Sequence, residues 1–315
     1  MARFAVRRTL AAIALMVAIS IVTFGLFEAI PNGDPALRLA GRQATPNEIA
    51  FIRHEYGFDQ PIYVQYVRMM KNVFTAQAYS YTQGLNVDDQ IRAGLPATAS
   101  LAIGAGVFWL LSSIVIGTIA AIKAGKYADR VLTVLSMAGV SFPPFFLGAI
   151  LIYYLGYDAG ILPLGGYVPL TQDPVQWFVH MIGPWITLSV LFIGFYSRVL
   201  RSTILDTINE DYVRTARAKG LSEGQVLLRH TLRNSLIPII SLWGLDFAAI
   251  IGGGAILTET VWNLQGVGQF AAQSIAKLDV IPVLVVTMLT AFAVVLMGAL
   301  VDILYAYLDP RIRIG

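Results

Sequence analysis

The chain has 315 residues, of which 57% are hydrophobic and only 13% are charged, and its mean hydropathy is +0.68. Because a soluble globular domain has about one quarter charged residues, this composition argues against a soluble protein and favours an integral membrane protein. The lack of cysteine excludes disulfide frameworks and thiolate metal sites, and the net charge of +3 becomes informative only when basic residues are assigned to sides of a membrane.

Six segments are long and apolar enough to cross a bilayer as helices, which requires about 20 mostly apolar residues. They cover 10–30, 97–122, 131–157, 181–200, 236–257 and 280–301. The first exceeds the apolar core of a signal peptide and is followed by no Ala-x-Ala-like cleavage site, so we expect a retained anchor. The sequence therefore predicts an all-α polytopic membrane protein with six transmembrane helices.

The basic residues predict the orientation of the chain. Segment 198–235 contains seven of the 22 Lys and Arg residues, whereas 158–180 contains none. Because short cytoplasmic loops are enriched in Lys and Arg, 198–235 is expected inside and 158–180 outside. With six spans, both termini are then cytoplasmic.

The long outer segment predicts a small ordered subdomain between the first and second spans. A turn is indicated by Pro-Asn-Gly-Asp-Pro at 31–35, and short amphipathic helices are indicated near 48–56 and 62–74. The predicted organisation is an N-terminus and first helix at 1–30, an extracytoplasmic subdomain at 31–96, and a core domain with five helices at 97–315.

The inner loop at 198–235 has the signals of two short helices joined at a glycine. Good helix formers cover 211–219, and Gly220 supplies a stop. Ser-Glu-Gly-Gln at 222–225 has the pattern of a capping box. Residues 220–224 also match the G-x-S-x-G pattern of serine hydrolases, but a helix precedes the serine where that motif needs a strand.

Other catalytic and metal-binding patterns do not occur in the sequence. It has no G-x-x-x-x-G-K-[ST] phosphate loop, so the chain is not itself a Walker-type ATPase. His54, His180 and His230 fall in three different loops, and no H-E-x-x-H pair exists. We therefore expect no catalytic residue and no metal site.

Asp246 lies in the middle of the fifth apolar segment, whereas Glu28 and Asp302 lie toward the ends of the first and sixth. Ionisable groups at membrane depth usually face a protein interior or a water-filled pathway. Asp246 could line a translocation pathway, or it could bond a neighbouring helix or a second chain. The candidate pathway residues are Asp246, Gly252, Gly253 and Glu259.

Prolines interrupt four of the apolar segments. Each removes a backbone donor, so a kink or break is expected at 143–144 and at Pro184, Pro238 and Pro282. Kinked helices suit a moving transporter, although static bundles contain them as well.

Four parts of the sequence resemble permeases of binding-protein-dependent ABC importers, in the branch that handles dipeptides, oligopeptides and nickel. The most specific part is Asp-Tyr-Val-Arg-Thr-Ala-Arg-Ala-Lys-Gly-Leu-Ser at 211–222, followed by Arg-His-Thr-Leu-Arg-Asn at 229–234 and Pro238. The others are Gly-Phe-Asp-Gln-Pro-Ile-Tyr-Val-Gln-Tyr at 57–66, Thr-Glu-Thr-Val-Trp at 258–262 with Gly-Val-Gly at 266–268, and Asp-Pro-Arg at 309–311. Together they cover essentially the whole chain.

The resemblance implies the type I ABC importer permease fold in a bacterial inner membrane. It implies a heterodimer with a second, homologous permease, two P-loop ATPase subunits and an extracytoplasmic substrate-binding protein. ATP and Mg would be held by the ATPases, so that this chain contacts lipid but binds no cofactor and no nucleic acid. The residues implied in coupling to the ATPases are Asp211, Arg214, Thr215, Ala216, Arg217, Ala218, Lys219 and Gly220.

Four other interpretations stay open. The cargo could be a nickel complex or another small solute of the same branch instead of a di- or oligopeptide. A self-sufficient secondary carrier would need paired internal repeats and several buried ion-coordinating groups, which the sequence does not show. An intramembrane aspartyl protease would need Asp246 and Asp302 to meet. The inner loop could also lie on anionic lipid as a basic amphipathic segment.

Overall fold

The computed structural model describes the backbone of residues 2–29, 35–40, 44–80 and 82–308, and this part is mainly helical. Residues 31–34 of the predicted turn and the Asp-Pro-Arg motif at 309–311 lie outside the described residues, as do the side chains of Glu28 and Asp302. The structure therefore does not describe the side chain of Asp302, the second carboxylate that the protease interpretation requires.

The first helices are α1 (Ala2–Ala29), α2 (Pro35–Ala40), α3 (Pro46–Glu55) and α4 (Ile62–Phe74), followed by strands β1 (Tyr79–Ser80) and β2 (Leu85–Asn86). The next are α5 (Val87–Ile122), α6 (Tyr127–Ser141), α7 (Pro144–Leu151), α8 (Pro174–Thr207), α9 (Asp211–Ala218) and α10 (Glu223–Gln225). The last are α11 (Arg233–Ala249), α12 (Ile256–Val261), α13 (Val267–Ala276) and α14 (Val280–Leu308). Wider π-helical turns occupy Ile152–Asp158, Val226–Leu232 and Ile250–Gly254.

The chain divides into two compact units. Unit 1 consists of Met1–Pro96 and Gly266–Phe292, and unit 2 consists of Ala97–Gln265 and Ala293–Gly315. This division follows compactness, whereas the sequence-based organisation into 1–30, 31–96 and 97–315 follows the expected position relative to the membrane. The sequence-based organisation stays a prediction.

Unit 1 contains the two helices expected in the outer segment, which are α3 and α4. Thr45 and Glu48 form a capping box at the start of α3, where the backbone N–H of Thr45 donates to Glu48 Oε2 at 2.7 Å. The strands form an antiparallel hairpin in which Ser80 pairs with Leu85. The core of the unit is apolar and comprises Met69, Ala78, Val87, Ile281, Leu284, Val285 and Met288.

The motif at 57–66 forms the turn that leads into α4. Gln65 Nε2 donates to the carbonyl oxygens of Phe58, at 3.3 Å, and Gln60, at 2.8 Å. Gly57 has a φ of +73°, and a Cβ there would lie 2.2 Å from the Arg68 guanidinium. The motif therefore fixes a local turn through a side-chain amide and a glycine.

In the described part of the chain, three helices are long and apolar enough to cross a membrane, namely α5, α8 and Val280–Leu300 of α14. They coincide with the predicted spans at 97–122, 181–200 and 280–301. A fourth candidate is the pair Tyr127–Ser141 and Pro144–Asp158, which is bent by 100° at the predicted proline break. In contrast, Pro184 and Pro238 lie inside continuous helices.

Two predicted spans are not among these candidates. The first lies in α1, whose apolar stretch Ile13–Leu26 is bounded by residues whose side chains lie outside the described part of the chain. The fifth is interrupted by the π-helical turn at Ile250–Gly254, where Gly253 has a φ of +112° and leaves the helical conformation. The described helices thus provide three or four candidate spans. The predicted count of six stays a prediction.

The core of unit 2 is built from large aromatic residues packed onto glycines. A Cβ on Gly104 would lie 2.0 Å from the Trp185 ring, and one on Gly183 would lie 2.3 Å from the Trp262 ring. Trp262 Nε1 donates to Thr187 Oγ1 at 3.0 Å, which satisfies this fully buried indole. The Trp of the 258–262 motif therefore packs α12 against α8.

Candidate functional site

The loop that follows α8 forms a short, well-anchored helix, as predicted. After α8 ends at Thr207, α9 covers Asp211–Ala218 and is followed by Gly220. Gly220 has a φ of +80°, which is favourable only for glycine. The predicted capping box is present at 222–225, where the backbone N–H of Ser222 donates to Gln225 Oε1 at 3.3 Å.

One face of α9 is buried against the π-helical turn that leads into α11. Val213 and Ala216, three residues apart, are 0% and 4% exposed. They pack with Val226 of the π-helical turn, and Ile208 and Leu221 flank the cluster. Of the predicted coupling residues, Ala216 therefore serves this internal packing.

Polar contacts add to this anchor. Arg217 Nε donates to Glu223 Oε1 at 3.0 Å, and Asn234 Nδ2 donates to the Tyr212 hydroxyl at 2.8 Å. These bonds connect α9 to residues that follow Gly220. As a result, α9 is fixed to the start of α11 by side chains as well as by the apolar cluster.

The opposite face of α9 is exposed and carries both charges and small side chains. The exposed coupling candidates are Asp211, Arg214, Thr215, Ala218, Lys219 and Gly220. Arg214 lies 3.8 Å from Asp211 in a solvent-exposed pair, with side chains that are 68% and 99% exposed. This face offers a rigid polar surface to another molecule.

The pathway candidates occupy different environments in unit 2. Asp246 is partly exposed in α11, where its Oδ2 accepts a hydrogen bond of 2.6 Å from the Tyr196 hydroxyl. Glu259 is fully buried in α12 and accepts a 2.7 Å hydrogen bond from Thr98 Oγ1. Gly252 and Gly253 lie in the π-helical turn between these two helices. No hydrogen bond between Asp246 and Glu259 occurs in the described part of the chain.

The structure also contains polar groups that the sequence analysis missed. Asp129, with a side chain only 7% exposed, forms a bidentate ion pair with Arg201 at 2.6 and 2.7 Å. The backbone N–H of Gly125 donates to the same carboxylate at 2.8 Å. Asp129 and Arg201 are far apart in sequence and form no motif. Tyr196 was missed for a similar reason, since tyrosines near apolar segments are common.

Among the residues that the structure describes, no group of three or more His, Asp and Glu side chains could hold a metal ion. The geometry of unit 2 thus combines an exposed, anchored helix in the loop after α8 with an isolated carboxylate in an interrupted apolar helix.

Family models match nearly the entire chain. A model described as binding-protein-dependent transport system inner membrane component matches residues 113–314, and its N-terminal companion matches residues 1–102. The chain belongs to this family of binding-protein-dependent transport permeases. Membership places it among multi-pass proteins of the inner membrane, in agreement with the apolar helices.

Curated relatives in this permease family share more than a third of their residues with the chain. A probable peptide ABC transporter permease of Sinorhizobium fredii is 37% identical, with 98% of this chain and 99% of the relative covered. A probable D,D-dipeptide permease of Escherichia coli is 35% identical over 94% of this chain and 93% of its own. A glutathione permease of Salmonella paratyphi A is 34% identical, with 99% of both chains covered.

The fold is similar to that of a solved permease. A chain of the MetNI methionine ABC transporter in inward-facing conformations superposes with a TM-score of 0.52 at 16% identity. The match covers 70% of this chain and 96% of the other. This confirms the predicted ABC importer permease fold at the level of architecture.

Proposed function

We propose that this chain is the transmembrane permease subunit of an ATP-driven importer for di- or oligopeptides. The observation that carries this proposal is the full-length similarity to permeases named for peptide, D,D-dipeptide and glutathione transport. A permease of this type forms one half of the translocation pathway. The importer requires a second, homologous permease, two P-loop ATPase subunits and an extracytoplasmic binding protein.

The proposed arrangement in the bacterial inner membrane has six spans with both termini cytoplasmic. Three or four of these spans are supported by the described helices, and the others correspond to α1 and to the interrupted helix that contains α11. The distribution of Lys and Arg supports the orientation, because the loop with α9 is the most basic. Residues 31–96 then form the extracytoplasmic subdomain.

In this proposal α9 is the element that couples transport to ATP hydrolysis. Its exposed face would dock on an ATPase subunit, and its buried face would transmit the movement through Val226 to α11. A rigid connection is required, because a flexible loop would absorb the movement before it reached the bundle. The apolar cluster and the Arg217–Glu223 pair provide that rigidity.

The chemistry of ATP hydrolysis would reside entirely in the partners. The sequence has no phosphate-binding loop, so ATP and Mg would be bound by the ATPase subunits. The role of this chain is then to provide the pathway and to change its conformation, without catalysis.

The proposal is tested by tagging this chain in its native membrane, extracting it gently and identifying stoichiometric partners by mass spectrometry. We expect a second permease and two copies or types of P-loop ATPase. The purified assembly in proteoliposomes, with its binding protein, should accumulate peptide only when ATP is present. Transport by this chain without partners would contradict the proposal and favour a secondary carrier.

A further inference from the structure

Asp246 is an incompletely compensated carboxylate in an apolar helix. Its Oδ2 accepts one hydrogen bond, from the neutral Tyr196 hydroxyl at 2.6 Å. In the described part of the chain, no Lys, Arg or His nitrogen lies within 4 Å of it, and its Oδ1 has no hydrogen-bond donor. Because an ionised carboxylate at membrane depth is costly without compensation, a positive group from another molecule would complete this site.

The tyrosine that donates to this carboxylate belongs to an aromatic cluster formed by residues of α5, α8 and α11. The aromatic cluster of unit 2 comprises Trp109, Phe192, Phe195, Tyr196, Trp243 and Phe247. Phe195 and Tyr196 have ring centroids 5.6 Å apart, and Trp243 lies one helical turn before Asp246. Among the described residues, the indole Nε1 of the fully buried Trp109 has no hydrogen-bond partner. The surroundings of Tyr196 are therefore mostly aromatic.

A carboxylate beside aromatic faces favours an organic ammonium ion over other cations. The carboxylate supplies charge-assisted hydrogen bonds, and aromatic faces attract alkylammonium groups through their quadrupoles. A divalent metal ion would need several oxygen ligands, whereas no group of three or more His, Asp or Glu side chains that could hold a metal ion occurs among the described residues. An ammonium group is also the cation that peptides carry, at the amino terminus and on lysine.

The position of Asp246 in the chain suits a transient contact with a moving solute. It lies seven residues before Gly253, where the helix is interrupted. Interrupted membrane helices expose backbone groups and form the binding sites of many carriers. Partial exposure of Asp246 in the single chain is consistent with access from a pathway.

We propose that Asp246, positioned by Tyr196 next to the aromatic cluster, binds the side-chain ammonium group of lysine residues in the cargo during translocation. The inference rests on the proposed function, since it assigns a preferred cargo charge to the peptide permease. The site would favour cationic peptides over anionic ones after they leave the binding protein. Tyr196 is a positioning residue, because it acts on the cargo only through the carboxylate.

The test uses the purified assembly in proteoliposomes with ATP and its binding protein. Uptake of Ala-Lys-Ala, Ala-norleucine-Ala and Ala-Glu-Ala is measured at peptide concentrations that saturate the binding protein, so that its own affinities do not affect the ratios. For the native chain we expect Ala-Lys-Ala to enter about tenfold faster than Ala-Glu-Ala. This ratio corresponds to the lower end of the free-energy range of one hydrogen bond between charged groups. Asp246→Asn should bring that ratio to within about twofold of unity.

Two further variants separate binding from a structural role. Tyr196→Phe keeps the carboxylate but loses its positioning bond, so the ratio should fall about threefold, in line with one hydrogen bond. The matched control is Asp206→Asn, which removes an exposed carboxylate from α8, the helix that contains Tyr196. This variant should keep the native ratio. If Asp246→Asn does not assemble, an unchanged ratio in Tyr196→Phe overturns the inference.

The remaining outcomes are equally decisive. Equal slowing of all three peptides by Asp246→Asn would show that Asp246 pairs with a cation of the second permease, and the ammonium site would be refuted. A native assembly that transports peptides without any charge preference would also refute it while leaving the proposed function intact. A native assembly that transports none of the three tripeptides, and none of the dipeptides Ala-Lys and Ala-Glu, contradicts the proposed cargo class itself.

Discussion

The Asp129–Arg201 pair is a single contact with a large expected effect on stability. Both carboxylate oxygens are engaged by the guanidinium, and the Asp129 side chain is 7% exposed. Asp129→Ala leaves the Arg201 guanidinium, which is 30% exposed, without its charged partner, so it should lower the free energy of unfolding by about 1–3 kcal/mol. Thermal unfolding of the purified chain in detergent measures this loss.

Arg214→Ala is the control for that prediction. The Arg214 guanidinium is 3.8 Å from Asp211 in an exposed pair, which contributes less than about 1 kcal/mol. Comparable losses of stability in the two variants would show that burial does not determine the strength of the Asp129 pair.

Sequence alone predicts single residues only where a local pattern or a rare chemical environment marks them. Asp246 is evident because it is charged within an apolar segment, and Gly220 because it follows a helix-forming run. Tyr196 and the Asp129–Arg201 pair depend on contacts between helices that are distant in sequence. Their roles become visible only after the helices are packed.

At the scale of elements, the turn between α9 and α10 depends on the conformation of one glycine. Gly220 has a φ of +80° and open space around its Cα, so a methyl group there strains only the backbone. Gly220→Ala should destabilise this turn by about 1–2 kcal/mol and lower the amount of peptide transported per ATP hydrolysed. Parallel measurements of uptake and ATP hydrolysis in proteoliposomes test this expectation.

Gly224 offers a matched comparison four residues later. A Cβ at Gly224 also meets open space, and this residue lies in the helix α10, where alanine is preferred over glycine. Gly224→Ala should therefore leave coupling unchanged. An equal loss of coupling in both variants would assign the effect to the surface of the loop and not to the conformation of Gly220.

Helical periodicity and capping residues account for much of the element structure. Outer helices α3 and α4, the short helix α9 and the proline break before α7 were all predictable from local chemistry. The π-helical turn at Ile250–Gly254 was not, because its three consecutive glycines permit many backbone conformations and the sequence does not specify that Gly253 takes a φ of +112°. Hydropathy therefore detects an apolar segment without showing whether its helix is continuous.

At the scale of whole units, hydrogen bonds in unit 1 connect the hairpin region at 80–83 to residues 274–279, which are distant in sequence. Ser80 Oγ donates to Asp279 Oδ2 at 2.5 Å, and Gln83 Nε2 donates to Ser274 Oγ at 3.1 Å. Asp279 is 4% exposed, and this burial raises the pKa of its carboxyl above the ordinary value of 3.8, although hydrogen bonds oppose the shift. The buried carboxyl therefore holds its proton to a higher pH than in the unfolded chain.

The sign of the pH dependence follows from that shift. Below the unfolded pKa of 3.8 the carboxyl is protonated in both states, so its contribution to stability is fully present there and is lost as pH rises through the folded pKa. Replacing Asp279 by Asn should flatten the decline in thermal stability above about pH 4, whereas Asp206→Asn should retain it. Identical pH profiles for the native chain and Asp279→Asn would refute this assignment.

The topology of the whole molecule can be tested with two single cysteines, because the natural sequence has none to interfere. Glu55 in α3 and Glu210 before α9 are both exposed. Between them lie α5, the bent pair at 127–158 and α8. Three crossings put the two positions on opposite sides of the membrane, so an impermeant maleimide should label Glu55→Cys in spheroplasts and Glu210→Cys only after the membrane is opened. If the bent pair re-enters on one side, only two crossings remain and both cysteines react alike.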